Sequence, residues 1–383
     1  MNMHGFGFAT LALVTAIGFA GPLLAAVPRL RIPVVIGELL AGLVVGHSGF
    51  GIIDVGNETL QLIANIGFAL VMFVVGTQIP GRGLQMRSAF PLAGARAALV
   101  GAVAAALGLV LAYEFHNGHA ALYAVLMASS SAALALPIIQ SLQSQASAVL
   151  LVSAQIAVAD CACIVLLPLA IEPDRALVAA LSALSIAGCA VVIFVVLREF
   201  DRRGLLRRLH THSKKDRLAL ELRTSLLLLF ALAAVAVTTR VSIMLAGFAL
   251  GLAVAAVGEP RRLARQLFGI TEGFFSPLFF VWLGASLQVG ELMANPKFVL
   301  LGIGLGGGAV LAHCAARILG QPLPLAVISA AQLGVPVAAA TIGTERHLFA
   351  AGEAAALIFG ALITIGGTSI AGRLATRRPG VPG

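Results

Sequence analysis

Asp160 is the only charged residue between Ala148 and Ile171, a stretch long enough to cross a bilayer as a helix. An ionised carboxylate near mid-membrane costs about 3 kcal/mol or more, so a chain that keeps one there usually has a cation or a proton to offer it. The chemistry expected of such a residue is ion or proton transport. Oxygen donors lie nearby in sequence: Ser129, Ser130 and Ser131 in the preceding segment, and Gln155 about 1.4 turns earlier on the same helix. Hydroxyl, amide and carboxylate oxygens, with freed backbone carbonyls and water, suit a hard cation such as Na+ or K+. The competing reading makes Asp160 a structural carboxylate paired with a basic residue of another helix. Arg317 is the obvious partner, although its place near the inner end of a span also suits snorkelling.

Other polar residues are weaker candidates. His313 is intramembrane and is read either as a packing histidine or as an auxiliary charge with Arg317. Glu38 and Glu272 fit structural or capping roles, and Glu353 stands at a helix start where the dipole favours a carboxylate. Cys161 and Cys163 are turned roughly 200° apart on a helix and cannot chelate one metal from one face. They, Cys189 and Cys314 read as small packing residues. Gly302-Ile303-Gly304-Leu305-Gly306-Gly307 matches a dinucleotide-binding pattern only formally, since no strand precedes it and close helix packing explains its glycines. No Ser/His/Asp, CxxC or HExxH arrangement stands in a catalytic context, so neither an enzyme nor a bound cofactor is expected.

These residues need elements to hold them, and composition says what kind. Of 383 residues 60% are apolar and 11% charged, with a mean hydropathy of +1.02, which marks an all-α polytopic membrane protein. The net charge of +9 comes from loop arginines and lysines and calls for no nucleic-acid partner. Hydropathy places about thirteen spans, at 6–27, 33–51, 61–79, 88–113, 120–141, 148–171, 176–197, 223–238, 242–257, 267–288, 298–318, 322–343 and 350–371. The first lacks a basic n-region and leads directly into further spans, so it is not expected to be a cleaved leader.

With the N-terminus outside, only Arg175, Arg240, Lys297 and Arg346 of the 25 basic residues face outward. The C-terminus is then cytoplasmic. The basic segment 198–222 reads as a cytoplasmic linker, or as an anionic-lipid or regulatory site, between a first half (1–197) and a second half (223–373). The tail 374–383 is short, and no attached soluble domain is expected.

Two spans carry residues that interrupt helices. Span 120–141 has Ser129-Ser130-Ser131 and Pro137, and span 322–343 has Gln332, Gly334 and Pro336. They stand an odd number of spans apart and so run in opposite directions, as an inverted repeat requires. Two unrelated proline kinks remain the alternative.

The order and spacing of several short motifs resemble the bacterial monovalent cation:proton antiporters of the Kef-like and NapA-like type, within the sodium/proton exchanger superfamily. They are Ile36-Gly37-Glu38-Leu39-Leu40-Ala41-Gly42, Phe73-Val74-Val75-Gly76, Ala128-Ser129-Ser130-Ser131-Ala132, Ala159-Asp160, Pro277-Leu278-Phe279-Phe280-Val281-Trp282-Leu283-Gly284, and Ala331-Gln332-Leu333-Gly334-Val335-Pro336-Val337. The resemblance implies an NhaA/NapA-like fold of thirteen helices, with inverted repeats around two crossing discontinuous helices. It also implies a separate dimerisation domain, hence a homodimer, and alternating access in a bacterial inner membrane with Asp160 as the shared proton and cation site. Ser131 falls where many members have threonine. The chain departs from the pattern at Ala159, where Gln, Asn or Asp is common, and at Gln78, where an acid is common. It has Gly306-Gly307-Gly308 where electrogenic members carry a lysine. A sodium-coupled symporter or channel-like protein on a related scaffold is the second expectation.

Overall fold

The computed structural model describes residues 7–27, 33–77, 84–141, 146–171, 176–205, 219–239, 243–258, 261–350 and 352–376. Gln78, Arg82, Arg175, Arg240, most of the basic linker (206–218) and the tail from 377 lie outside them. Among the described residues the elements are all helical. In order they are α1 (Phe8–Gly18), α2 (Ala20–Ala25), α3 (Val34–Val45), α4 (Glu58–Thr77), α5 (Leu84–Glu114), α6 (Ala120–Ala128), α7 (Ala132–Ser141), α8 (Ala146–Ile171) and α9 (Ala176–Arg202). Then follow α10 (Leu220–Thr238), α11 (Ile243–Val257), α12 (Arg261–Ile270), a π turn (Thr271–Phe275), α13 (Ser276–Ser286), α14 (Val289–Ala294), α15 (Pro296–Cys314) and a 3-10 turn (Ala315–Leu319). The last three are α16 (Leu323–Ser329), α17 (Gly334–Glu345) and α18 (Glu353–Thr376).

Ten helical stretches among the described residues are long and apolar enough to cross a membrane. Three of the expected segments instead hold shorter pieces. Those at 33–51 and 242–257 contain the apolar helices Val34–Val45 and Ile243–Val257, and 120–141 is split into α6 and α7.

Two compact units are present, and each draws on both sequence halves. The first comprises Met1–Ala26, Val34–Arg82 and Leu177–Ser286. In it α4 lies along α11 and α3 along α13 at backbone contact distance. A Cβ at Gly42 would strike the Val281 carbonyl and one at Gly284 the Leu39 carbonyl, so glycine is what permits the approach. Phe68 and Phe279 stack between these helices with centroids 4.7 Å apart. The π turn falls just before Pro277, which withholds a backbone N–H from the helical ladder. Glu38 is buried here, and its Oε2 has no hydrogen-bond partner.

The second unit comprises Val27–Pro33, Gly83–Ala176 and Leu287–Gly383. There α5 packs on α6 and α8, α15 packs along α18, and α16, α17 and α7 all touch α18. Both interrupted stretches belong to this unit, as does Asp160.

Candidate ion-binding site

The first interruption lies at Ser129–Ser131. Ser129 is extended (φ −70°, ψ 152°), and both its N–H and its hydroxyl donate to the Leu126 carbonyl, 3.1 and 2.8 Å away. A serine that bonds its own backbone competes with the helical ladder, which ends α6 here. The ladder resumes when Ala135 N–H donates to the Ser131 carbonyl at 2.9 Å. Pro137, expected to mark the interruption, lies inside α7. The second interruption runs from Ala330 to Leu333, with Leu333 at φ −150° and ψ −62°. Gly334 and Pro336 open α17, where a missing proline N–H costs no helical bond. Backbone groups freed in an apolar interior need partners, and α18 supplies them. Thr364 Oγ1 accepts from Gln332 N–H at 3.1 Å, and Thr368 Oγ1 donates to the Val327 carbonyl at 3.3 Å.

Asp160 sits near the middle of α8, 3% exposed. The Ala132 backbone N–H, at the first residue of α7, faces its carboxylate. A helix start presents free N–H groups and a partial positive charge, so α7 is aimed to hold an anion at this place. Ion pairs among the described residues include His119–Glu353 and Arg203–Glu199, and no described basic side chain pairs with Asp160. Arg317 is exposed on the 3-10 turn.

The other candidate residues separate into two groups. Ser130 joins His313: its Oγ lies 3.2 Å from His313 Nε2 and donates to the Ser329 carbonyl at 2.7 Å. Ser131 is buried beside Ala132, and Ser129 is committed to Leu126. Gln155 Oε1 and Gln332 Nε2 are buried without a hydrogen-bond partner. Gln155 is five residues from Asp160, about 140° around the helix, so the two leave α8 on different faces.

A second polar cluster, unforeseen as a cluster in the sequence, lies at the starts of α6 and α18. Glu353 Oε1 is 2.7 Å from His119 Nδ1 and accepts from Tyr123 Oη–H at 2.9 Å, and Oε2 accepts from Ala350 N–H at 3.3 Å. Asn117 Nδ2 donates to Tyr123 Oη at 2.6 Å. The pKa of His119 is raised, first by its hydrogen bond to Glu353 and against the pull of burial. Thr364 and Thr368 were missed too; their spacing of four residues on one apolar helix was the available signal.

Residues 12–375 match the model of the family described as sodium/hydrogen exchanger, transmembrane. The chain is 26% identical over 385 residues to a putative Na(+)/H(+) antiporter, YjbQ, of Bacillus subtilis, covering 93% of this chain and 61% of that protein. It is 28% identical over 309 residues to the glutathione-regulated potassium-efflux system protein KefC of Shigella sonnei, covering 76% of this chain and 48% of that one. It thus spans about half to three-fifths of the length of these relatives. The fold is that of the sodium proton antiporter MjNhaP1 from Methanocaldococcus jannaschii, with a TM-score of 0.67, 17% identity, and 97% and 98% of the two chains covered.

Proposed function

The chain belongs to the sodium/hydrogen exchanger transmembrane family, and from that premise we propose that it is a secondary-active antiporter exchanging Na+ or K+ for H+ at Asp160. The observation that carries the reading is a buried carboxylate with no basic partner among the described residues, facing the first amide of a half-helix. An unpaired charge there costs several kcal/mol, of order 3, so the carboxylate crosses the barrier only when a proton or a cation neutralises it. Two ligands competing for one site are enough to couple their flows. Ser131 and the backbone carbonyls of the first interruption are the further oxygen donors, with Ser130 held beside them and Gln155 in an outer position.

The packing supports an inverted repeat. Contact of α4 with α11 has its mate in α13 with α3, and α5 with α8 has its mate in α15 with α18. On this reading α3, α11 and the α6–α7 pair complete thirteen spans, and the second unit carries the ion while the first is the dimerisation domain of a homodimer. The N-terminus is outside a bacterial inner membrane, and the C-terminus and the basic linker are cytoplasmic.

The test is exchange in proteoliposomes, with internal pH followed as Na+ or K+ is added. Asp160→Asn brings cation-driven pH change to background at normal insertion. Exchange at the wild-type rate in that variant refutes the assignment, and sodium-dependent solute uptake without proton counterflow refutes antiport.

A further inference from the structure

His313, Ser130 and Ser329 come from α15, the first interruption and the end of α16, and each is at most 2% exposed. His313 Nδ1 lies 2.9 Å from the Ala309 carbonyl one turn back, which places the Nδ1 proton on that carbonyl and turns Nε2 toward Ser130. Ser130 Oγ, 3.2 Å from Nε2, is also 2.7 Å from the Ser329 carbonyl. With Nδ1 protonated, Nε2 is an acceptor, so the single Ser130 hydroxyl proton is shared between Nε2 and the Ser329 carbonyl, and one serine hydroxyl stands between α15 and the end of α16.

The location gives this tie its meaning. Residues 129–131 are not held by a helical ladder, so their peptide planes take their orientation from side-chain anchors. Ser129 anchors backward, onto Leu126. Ser130 anchors sideways and stands two residues before Ala132, whose N–H meets Asp160. A rotation of the Ser130 peptide therefore re-aims the amide facing the carboxylate and the carbonyls beside it. Site groups must hold their geometry to about half an ångström to act together.

We propose that His313 is a positioning residue for the exchange site: through Ser130 it fixes the interruption that presents Ala132 N–H and the neighbouring oxygens to Asp160. This rests on Asp160 being the exchange site. His313 does not touch the cation. It sets how well the site fits one, and its loss weakens cation binding more than it slows the loaded carrier.

Asparagine and glutamine separate the two ends of the imidazole. His313→Asn places an amide nitrogen near the Nδ1 position, keeping Ala309 and losing Ser130, whereas His313→Gln reaches the Nε2 position and keeps Ser130. Exchange is measured in proteoliposomes against Na+ and K+ concentration. His313→Asn raises the half-saturating cation concentration about tenfold, the worth of one buried hydrogen bond, with maximal rate within about twofold of wild type. His313→Gln stays within about threefold of wild type. Ser130→Ala raises the same constant, and the double variant Ser130→Ala/His313→Asn is no worse than the worse single one, because both act on one tie.

The proposal is overturned if the asparagine and glutamine variants behave alike, if the half-saturating concentration stays at the wild-type value, or if the two substitutions add. Asp160→Asn, assayed alongside, separates the two claims. Full activity there removes the exchange site and the positioning role together. An inactive Asp160→Asn beside a His313→Asn with unchanged half-saturation removes only the positioning role.

Discussion

Among the described residues the second unit holds two buried carboxylates in opposite circumstances. Glu353 is saturated: a histidine, a phenol and a backbone amide occupy its oxygens, and Asn117 in turn supports the phenol. Asp160 has the α7 amide and, among the described residues, no cationic side chain, while Gln155 on the same helix and Gln332 in the second interruption leave polar atoms unpaired. Folding is stabilised when buried polar groups find partners and is weakened when they do not. A cluster like that of Glu353 therefore belongs to the scaffold, clasping the start of α6 to the start of α18. One like that of Asp160 is under-satisfied by its described neighbours, and on the proposed function the proton or cation completes it. Burial and charge alone do not distinguish the two; the inventory of partners does.

The contrast breaks most sharply under neutralisation. Asp160→Asn removes an unpaired buried charge, so cation-driven exchange falls to background while the midpoint of thermal unfolding in detergent holds or rises. A clear loss of stability in that variant would make Asp160 a scaffold residue like Glu353. Glu353→Leu is expected to do the reverse. It strands His119 and Tyr123 and costs about 2–4 kcal/mol of stability, while exchange per inserted molecule stays within about twofold. Unfolding curves and initial exchange rates on the same preparations decide both.

Legibility from sequence divides along a related line. The isolated acid in an apolar helix, the serine run and the Gln332–Pro336 run stand out because each is a local departure from a hydrophobic background. What hydropathy could not see is where a helix stops when the apolar run continues. After Val45 the chain turns, with His47 N–H on the Ala285 carbonyl at 3.0 Å, although Phe50, Ile52 and Ile53 keep the segment apolar. The first interruption follows serine hydrogen bonding rather than the more conspicuous Pro137. The side-chain contacts of the proposed exchange site and of the Glu353 cluster are non-local: Ser130 to His313 spans 183 residues and His119 to Glu353 spans 234. No periodicity within one helix encodes such pairs. The glycines of the family-like motifs are a different case. Gly42 and Gly284 mark backbone contact between α3 and α13, so those motifs report packing of the first unit rather than ion chemistry.

A smaller effect sharpens the comparison from the unpaired side. Gln155→Leu removes an amide whose oxygen has no partner, so stability is unchanged or improves. If that oxygen serves the carried cation from an outer position, the half-saturating concentration rises roughly threefold to tenfold. Unaltered exchange kinetics would leave Gln155 outside the site, as its different helical face allows.

The smallest effect comes from the paired side and is a matter of pH. The raised pKa of His119 means that the folded state holds the imidazole proton more tightly than the unfolded chain does. The stability it contributes is therefore complete below the unfolded value of about 6.5. It fades as pH rises through the higher folded value. Unfolding midpoints of wild type and His119→Gln, compared from pH 5.5 to 8.5, should differ most at the acid end and converge toward the alkaline end. A difference that grows with pH would mean that the neutral imidazole is the form Glu353 holds. The clasp would then rest on a neutral hydrogen bond rather than a charged pair, and the distinction between a saturated carboxylate and an open one would lose its electrostatic half.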